Sequence, residues 1–425
     1  MQKLAKGIIA SVLGWQVKRL CQKNKLKIVV VAGSIGKTST KLAIAQVLGQ
    51  KHKVQFQSGN YNDPVSVPLV FFNRSLPNIY NPLAWLLIIW KNEQTIYQQY
   101  PYEIVVLELG TDGPGQIEKF RRYIQADIAV ITAISAEHME FFDDIDAVAK
   151  EELAVLPFSD KVFVNKDLIP QDYLGDLPVE AITYGVKSQA EVRMVNVKFD
   201  DQSASFDIIH GSETIAKAKH EQITEPQLYS ICAAAAVGEN LGLSSELIER
   251  GITTIKPVAG RMQHFQGVNG TLIIDDTYNA SPEAMRGALD TLYRLKASRK
   301  IAILGNMNEL GGYSQSEHRK IGEYCDPREL SLVATLGPDA NKYLAPAAEL
   351  KGCSVKQFNT PYELGSYIKS IVSPGTVILA KGSQNKVFAE EAVKILLSNP
   401  GDVSQLVRQS KDWLKIKQKN FKGTT

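Results

Sequence analysis

The run VVVAGSIGKTSTK at 29–41 constrains this chain more than any other stretch. A β-branched apolar run stops at a glycine loop, and Lys37 and Thr38 then open a helix-compatible segment. Strand, glycine loop and helix in that order form the setting in which backbone N–H groups cradle a phosphate. Gly33, Ser34 and Gly36 are expected to shape the loop, with Ser39 beside it in the first helical turn. Lys37 is expected to reach β- and γ-phosphates, and the Thr38 hydroxyl to ligate Mg²⁺. The loop departs from G-x-x-x-x-G-K-[ST], because Val31 holds the first glycine slot. Its compact form, G-S-x-G-K-T, belongs to a narrower group of nucleotide enzymes. The pattern predicts a chain that binds ATP and Mg²⁺.

At 425 residues the chain is too long for one ordinary core, so two or three domains are expected. Short apolar runs at 28–32, 104–109, 128–134 and 161–165 alternate with helical patterns. Several end in polar or glycine residues, where an open parallel sheet presents its ligand groups. Between 190 and 222 the pattern switches to strict alternation around an Asp-Asp turn, which predicts an antiparallel edge hairpin. Two helices follow, near 226–242 and 244–254. The segment 256–261, KPVAGR, reads as a linker. Strand–helix alternation then restarts, with strands at 270–275, 300–304, 331–336 and 376–380. The fold class is therefore α/β. An amphipathic helix over 1–26 precedes a P-loop domain over 27–256, built on a mostly parallel sheet. A Rossmann-like α/β domain with a basic tail follows over 257–425.

Hydrophobic content of 44% and charged content of 22% are those of a globular protein. A net charge of +3 is too small to argue for a nucleic-acid partner. Basic residues gather at both ends, from Lys18 to Lys27 and from Lys411 to Lys422. These read as solvated helix faces and a frayed tail. The four scattered cysteines exclude a disulfide framework or zinc ribbon and fit a reducing cytoplasm. No apolar run reaches the ~18–20 residues that span a bilayer. Leu4, Ile8, Ile9, Val12, Leu13, Val17 and Leu20 form a helical stripe with basic flanks. It is expected to pack on its own domain, with a membrane surface or a protein partner as the alternative. The run PLAWLLIIW at 82–90 is expected to be a buried helix, although its two tryptophans also suit a membrane surface. No feature assigns an oligomeric state.

The polar residues at strand ends carry the chemistry. Glu108 ends the strand at 104–109, where a hard Mg²⁺ beside a P-loop needs an oxygen ligand. The segment 135–140, SAEHME, follows the next strand in the same way and offers His138. Arg261, just after the linker, could meet nucleotide phosphates or form a plain salt bridge. Asp276 and Asn279 follow another strand, with Pro282 suited to open a helix. Lys381 ends the last strand. All these positions fit one cleft between two α/β domains.

These residues together resemble the Mur ligases, the ATP-dependent amide ligases of peptidoglycan precursor synthesis. The matching branch adds D-alanyl-D-alanine to a UDP-muramoyl tripeptide. The similarity rests on GSIGKTST (33–40), LELGTDGPGQI (107–117), AEHMEFFDDIDAVAKEE (136–152), GRM with DDTYNASPEAMRGAL (260–289) and LGNMNELG (304–311). The resemblance implies that a substrate carboxylate attacks the γ-phosphate of ATP and that an amine then displaces phosphate from the acyl phosphate. It implies that Lys37 contacts phosphates, and that Thr38 and Glu108 hold a first Mg²⁺, with His138 on a second. Arg261 and Lys381 would address phosphates, and Asp276 and Asn279 would line the cleft.

The departures are equally specific. Most of the family supplies a carboxylate to the second Mg²⁺ through a carbamylated lysine. That slot falls here on Glu152, which is expected to offer its own carboxylate, unless the register slips by one or two residues. An asparagine that approaches adenine in the family is Ser230 here, and an aspartate of the C-terminal block is Asn306. The family's N-terminal UDP-binding domain, about 80–100 residues and so domain-sized, has no counterpart before Lys27. The resemblance therefore leaves the acceptor open. The expected function is an ATP-dependent ligase joining a carboxylate acceptor to an amino acid or dipeptide. The alternatives are a glutamyl-adding or amidating relative, or a nucleotide-binding interaction protein with an altered site.

Overall fold

The computed structural model describes all residues except Met1, Ser58, Asn60, His138, Asp176, Pro178, Val179, Asp201, Gln202, Gln222 and 422–425. The chain forms two compact units. The first comprises residues 1–135, 142–223 and 227–255. The second comprises 136–141, 224–226 and 256–425.

The first unit begins with helix α1 (Gln2–Asn24) and strand β1 (Lys27–Ala32), followed by α2 (Lys37–Leu48), β2 (Val54–Phe56), α3 (Val67–Phe71) and α4 (Pro82–Tyr97). Strands β3 (Ile104–Glu108) and β4 (Ala126–Ile131), helix α5 (Ile145–Glu152), and strands β5 (Ser159–Asn165) and β6 (Ile182–Gly185) come next. Strands β7 (Val192–Asp200), β8 (Ser203–His210) and β9 (Glu213–Glu221) complete a sheet of order β2-β3-β1-β4-β5-β6-β7-β8-β9. It is parallel up to β7, and β7-β8-β9 form an antiparallel meander. Expected as a hairpin, this edge thus carries a third strand.

Strand β1 is buried on both faces, as its unbroken Ile-Val-Val-Val-Ala requires. Val29 and Val31 enter one core with Ile44, Val47 and helix Glu225–Asn240, while Ile28, Val30 and Ala32 enter the other with Val17, Leu20 and Phe71. The chain leaves β1 between its neighbours β3 and β4, so the glycine loop emerges where strand order reverses, the usual ligand crevice of an open sheet.

The second unit holds strands β10 (Gln263–Gly267), β11 (Thr271–Asp276), β12 (Arg299–Gly305), β13 (Leu332–Leu336), β14 (Val355–Phe358) and β15 (Thr376–Lys381). Their order is β10-β11-β15-β12-β13-β14, with only β10 antiparallel to its neighbour. The short edge strands β2, β10 and β14 carry no apolar run long enough to announce them.

Two expectations fail in an informative way. Helix α4 is not buried all round: Trp85 packs with Leu13, Val65 and Leu69, but Leu83, Leu86, Leu87 and Trp90 are exposed. Nor is the basic tail wholly solvated. Helix Lys411–Asn420 buries the Lys417 ammonium between Glu390 (2.8 Å) and Glu391 (2.7 Å). Arg408 forks onto Glu390 and donates to the carbonyls of Thr277 and Tyr278. The C-terminal segment therefore clamps the loop after β11.

Asp275 lies beside this cluster, fully buried, with its Oδ1 accepting from the Thr277 amide (3.1 Å) and hydroxyl (2.6 Å). Burial pushes its carboxyl up to about 7, and the charges of Glu390 and Asp276 add to this against the Thr277 hydrogen bonds. The fold thus holds a proton there that the unfolded chain releases near pH 4, so stability falls as pH rises from about 4 through 7. Asp275→Asn keeps the acceptor and removes the titration. Its urea midpoint is expected to exceed the parent's at pH 8, by about 2 kcal/mol in stability, and to converge with it toward pH 4.

Candidate active site

The glycine loop is held by backbone geometry first. Gly33 and Gly36 have φ of 123° and 84°, in the left-handed region that other residues avoid. A Cβ at Gly33 would also stand 2.4 Å from Thr132 Oγ1 and 2.8 Å from the Ala133 nitrogen. The loop therefore lies flat against the end of β4. Ser34 pins it there, as its amide donates to the Ala133 carbonyl (2.9 Å) and its hydroxyl both donates to and accepts from the Ser135 backbone. Gly36 then stands at the N-cap of α2, where the positive end of the helix dipole faces the loop.

Side chains complete the arrangement. The Lys37 ammonium arches back over the loop onto the carbonyls of Gly33 and Ser34 (2.9 Å to the latter). Thr38 Oγ1 donates to Glu108 Oε2 (2.9 Å), and Lys41 Nζ donates to the same oxygen (3.1 Å). Burial pushes the Glu108 carboxyl up. The charges of Lys41 and Lys37, with hydrogen bonds from Lys41 and Thr38, outweigh burial and hold it below the ordinary carboxylate value. Ser39 is half-buried in the same turn. Thr40 shares a 3.0 Å hydrogen bond with Ser230, tying α2 to helix Glu225–Asn240.

The neighbouring glutamates of α5 take different partners. Glu152 Oε2, in a side chain only 2% exposed, accepts from the Gly33 amide at 2.7 Å. Glu151 instead accepts from three successive amides, Gly115, Gln116 and Ile117, at 2.5–2.8 Å. Of the two, Glu152 is thus the carboxylate at the phosphate loop, and Glu151 fixes the 111–117 turn.

In the second unit, Asp276 and Lys381 are register partners on parallel strands, with Nζ 2.5 Å from Oδ2. Lys381 also donates to the Asn279 carbonyl (2.9 Å). Burial holds the Lys381 ammonium below its ordinary value, although Asp276 pulls it back up. The Arg261 guanidinium stacks on Tyr278 at 4.2 Å, and Asn279 Nδ2 donates to Glu137 (3.3 Å). Asn306 Oδ1 accepts from the Ala340 amide (2.9 Å).

Of the residues singled out in the sequence, Gly33, Ser34, Gly36, Lys37, Thr38, Glu108 and Glu152 converge on one loop. Arg261, Asp276, Asn279 and Lys381 gather at the ends of β11 and β15. His138 lies outside the described residues. Lys41 was missed, because a lysine one turn into an exposed-looking helix reads as solvated. Its signal was the i, i+4 spacing from Lys37, with Glu108 needing a counter-charge. Glu151 was missed because helical spacing cannot say which of two adjacent acids faces the loop.

The residues present fit a Mg²⁺ of P-loop type. Among the described residues no three His, Cys, Asp or Glu gather into a cage. A P-loop Mg²⁺ draws instead on one hydroxyl, one or two carboxylates and substrate phosphates. Thr38 and Glu108 supply the first two. The hydrogen bonds from Thr38 and Lys41 to Glu108 both fall on Oε2.

A strand–glycine loop–helix with lysine and threonine opening the helix, over a buried acid, defines a P-loop nucleotide-binding α/β protein. Comparison with known proteins narrows this class. The Mur ligase middle domain matches residues 90–238, and the Mur ligase glutamate ligase domain matches 260–384. The chain belongs to the Mur ligase family, whose members are ATP-dependent amide ligases. The UDP-N-acetylmuramoyl-tripeptide–D-alanyl-D-alanine ligase of Bacillus subtilis is 27% identical over 398 residues, 90% of this chain and 78% of that protein. Crystal structures of MurF from Thermotoga maritima in complex with ADP and from Acinetobacter baumannii superpose with TM-scores of 0.75 and 0.73. Both are 23% identical; the pairs cover 91% and 90% of this chain, and 83% and 79% of theirs. At that identity the structures establish the fold.

Lys41→Met leaves a buried carboxylate without its nearest cation. A loss of about 3 kcal/mol is expected in urea denaturation, and the double variant Lys41→Met with Glu108→Gln should recover most of it.

Proposed function

We propose that this protein is an ATP-dependent amide ligase that joins the amino group of an amino acid or dipeptide, D-alanyl-D-alanine foremost, to the carboxylate of a muramoyl-peptide acceptor. The observation that carries this reading is the phosphate loop. Lys37 bridges its carbonyls, Thr38 binds the depressed carboxylate of Glu108, and the Glu152 carboxylate meets its Gly33 amide. The named activity of the Bacillus relative supplies the substrates of the proposal.

In this reading the acceptor carboxylate oxygen bonds to the γ-phosphorus, and the bond from that phosphorus to the β–γ bridging oxygen breaks. ADP leaves and an acyl phosphate remains. The amine nitrogen then attacks the acyl carbon, a tetrahedral intermediate forms, and inorganic phosphate departs as the amine loses its proton. Negative charge builds on the phosphoryl oxygens in the first step and on the acyl oxygen in the second.

Lys37 and the amides of the loop and α2 stabilise the first of these charges. Thr38 and Glu108 would hold a Mg²⁺, with Glu152 and His138 proposed for a second. Such an ion supplies Lewis-acid neutralisation of phosphate charge. Lys381 and Arg261 are assigned cationic roles toward phosphate, and Asp276 and Asn279 position Lys381. Because Glu152 carries its carboxylate directly, this reading needs no carbamylation.

The test is phosphate release by purified protein with ATP, Mg²⁺ and panels of muramoyl-peptide acceptors and amines. Turnover is expected only when acceptor and amine are both present, with D-alanyl-D-alanine the preferred amine. Absence of substrate-dependent turnover with every pair would overturn the reading in favour of a nucleotide-binding interaction protein. Lys37→Ala should lower kcat/KM by roughly 10²–10³. Glu152→Gln, which can still accept from Gly33, should lower kcat by at least about 10-fold. Stripping bicarbonate from the buffer should leave the parent rate unchanged, and a bicarbonate requirement would sink the role given to Glu152.

A further inference from the structure

Helices α1 and α4 lie side by side and parallel. Gln16 Nε2 donates to the Ile89 carbonyl (2.9 Å), the Arg19 guanidinium pairs with Glu93 (2.7 Å), and Lys23 Nζ donates to the Ile96 carbonyl (2.7 Å). Each step along α1 is thus matched by a step in the same direction along α4. Their inner faces bury Leu13, Val17, Leu20, Trp85 and Ile96.

The outer face is unlike a solvated one. On α4, Leu83 is 75% exposed and Trp90 56%, with Leu86 and Leu87 exposed between them, at the 3–4-residue spacing of one helical stripe. On α1, Trp15 is 57% exposed and Ile8 58%. The Arg19 guanidinium lies over the rings of both Trp15 (4.4 Å) and Tyr97 (5.8 Å), which places aromatic residues of the two helices on the same side. Scattered exposed apolar residues are ordinary, but a contiguous face of this kind marks an interaction surface.

Charge identifies the occupant. Over its described side chains helix α1 carries four basic residues, Lys6, Lys18, Arg19 and Lys23, and no acid. Helix α4 adds Lys91 and the paired Glu93. Apolar stripe, tryptophan and tyrosine at its border, and basic flanks are the three attributes of a helix lying in the headgroup region of an anionic bilayer. A symmetric dimer through this face would oppose the basic helix to its own copy, which like-charge repulsion disfavours. No helix among the described residues is long and apolar enough to cross a membrane.

We propose that the α1–α4 face docks the protein on the surface of anionic membranes, with the leucines and tryptophans of α4 and Trp15 seated among the headgroups. The proposal is independent of the ligase reading.

The full chain is sedimented with phosphatidylcholine vesicles containing about 30% phosphatidylglycerol and with pure phosphatidylcholine vesicles, while tryptophan emission is recorded. Binding to the anionic vesicles with a blue shift is expected, weakening steeply as salt rises to about 0.5 M. The double variant Leu83→Glu with Trp90→Glu, at exposed positions, should keep the parent's circular dichroism and thermal midpoint and lose vesicle affinity at least about 10-fold. Failure to bind anionic vesicles overturns the proposal, and so does binding that is indifferent to lipid charge and salt. Concentration-dependent dimerisation in the ultracentrifuge, abolished by the same variant and without vesicle binding, overturns it in favour of a second copy of the chain.

Discussion

A carboxylate buried at the end of a strand must find compensating charge, and in the first unit that requirement organises everything around Glu108. Lys41 supplies the cation and Thr38 a hydrogen bond, both from the same side of α2. Together they set how α2 is rolled about its axis. Lys37, one turn earlier on the same face, reaches the loop carbonyls instead. The second unit uses the same device, since Lys381 and Asp276 form a buried pair at the ends of adjacent parallel strands. Buried pairs of this kind add little net stability, because desolvation offsets their attraction. What they fix is direction, so that each acid and lysine has one place to point.

Much of this was legible in the sequence because the governing patterns are local. The β-branched run before Gly33 could only be a buried strand, and a glycine loop followed by Lys-Thr could only begin a helix there. The acids and lysine at 108, 276 and 381 were visible because each directly ends an apolar run. Partners across the fold were less legible. Lys41 and Glu108 are 67 positions apart, and nothing in either neighbourhood names the other. The burial of Lys417 by Glu390 and Glu391 is equally nonlocal, and a basic tail read in isolation looks solvated. The third antiparallel strand was hidden because Glu213–Glu221 mixes charge with small residues at the sheet edge, where one face meets water.

The reading of 82–90 failed for a different reason. Nine nearly unbroken apolar residues look like a helix buried on all sides, because a sequence window counts apolarity without knowing how many neighbours exist. Here α4 has partners on one side only, α1 and the small cluster around Val65 and Leu69. The remaining apolar positions are surplus to the core. A surplus of that size is costly to leave in water, so its presence is itself a constraint on the surroundings in which the protein works.

The adjacent glutamates at the end of α5 show how one helical step changes which backbone a carboxylate holds. Glu151 accepts from three amides in succession, which satisfies its charge and fixes the turn at 111–117. Glu152, rotated by one residue around the same helix, meets the first amide of the phosphate loop. Exchanging their environments would leave the turn without its acceptor and the loop without its acid. The position of α5 is therefore constrained from two sides, by the turn that Glu151 holds and by the loop that Glu152 touches. A longer side chain at 152 would need α5 to stand further from Gly33, which the Glu151 contacts resist. The glutamate at 152 and the placement of its helix are thus matched, and a lysine there would disturb both.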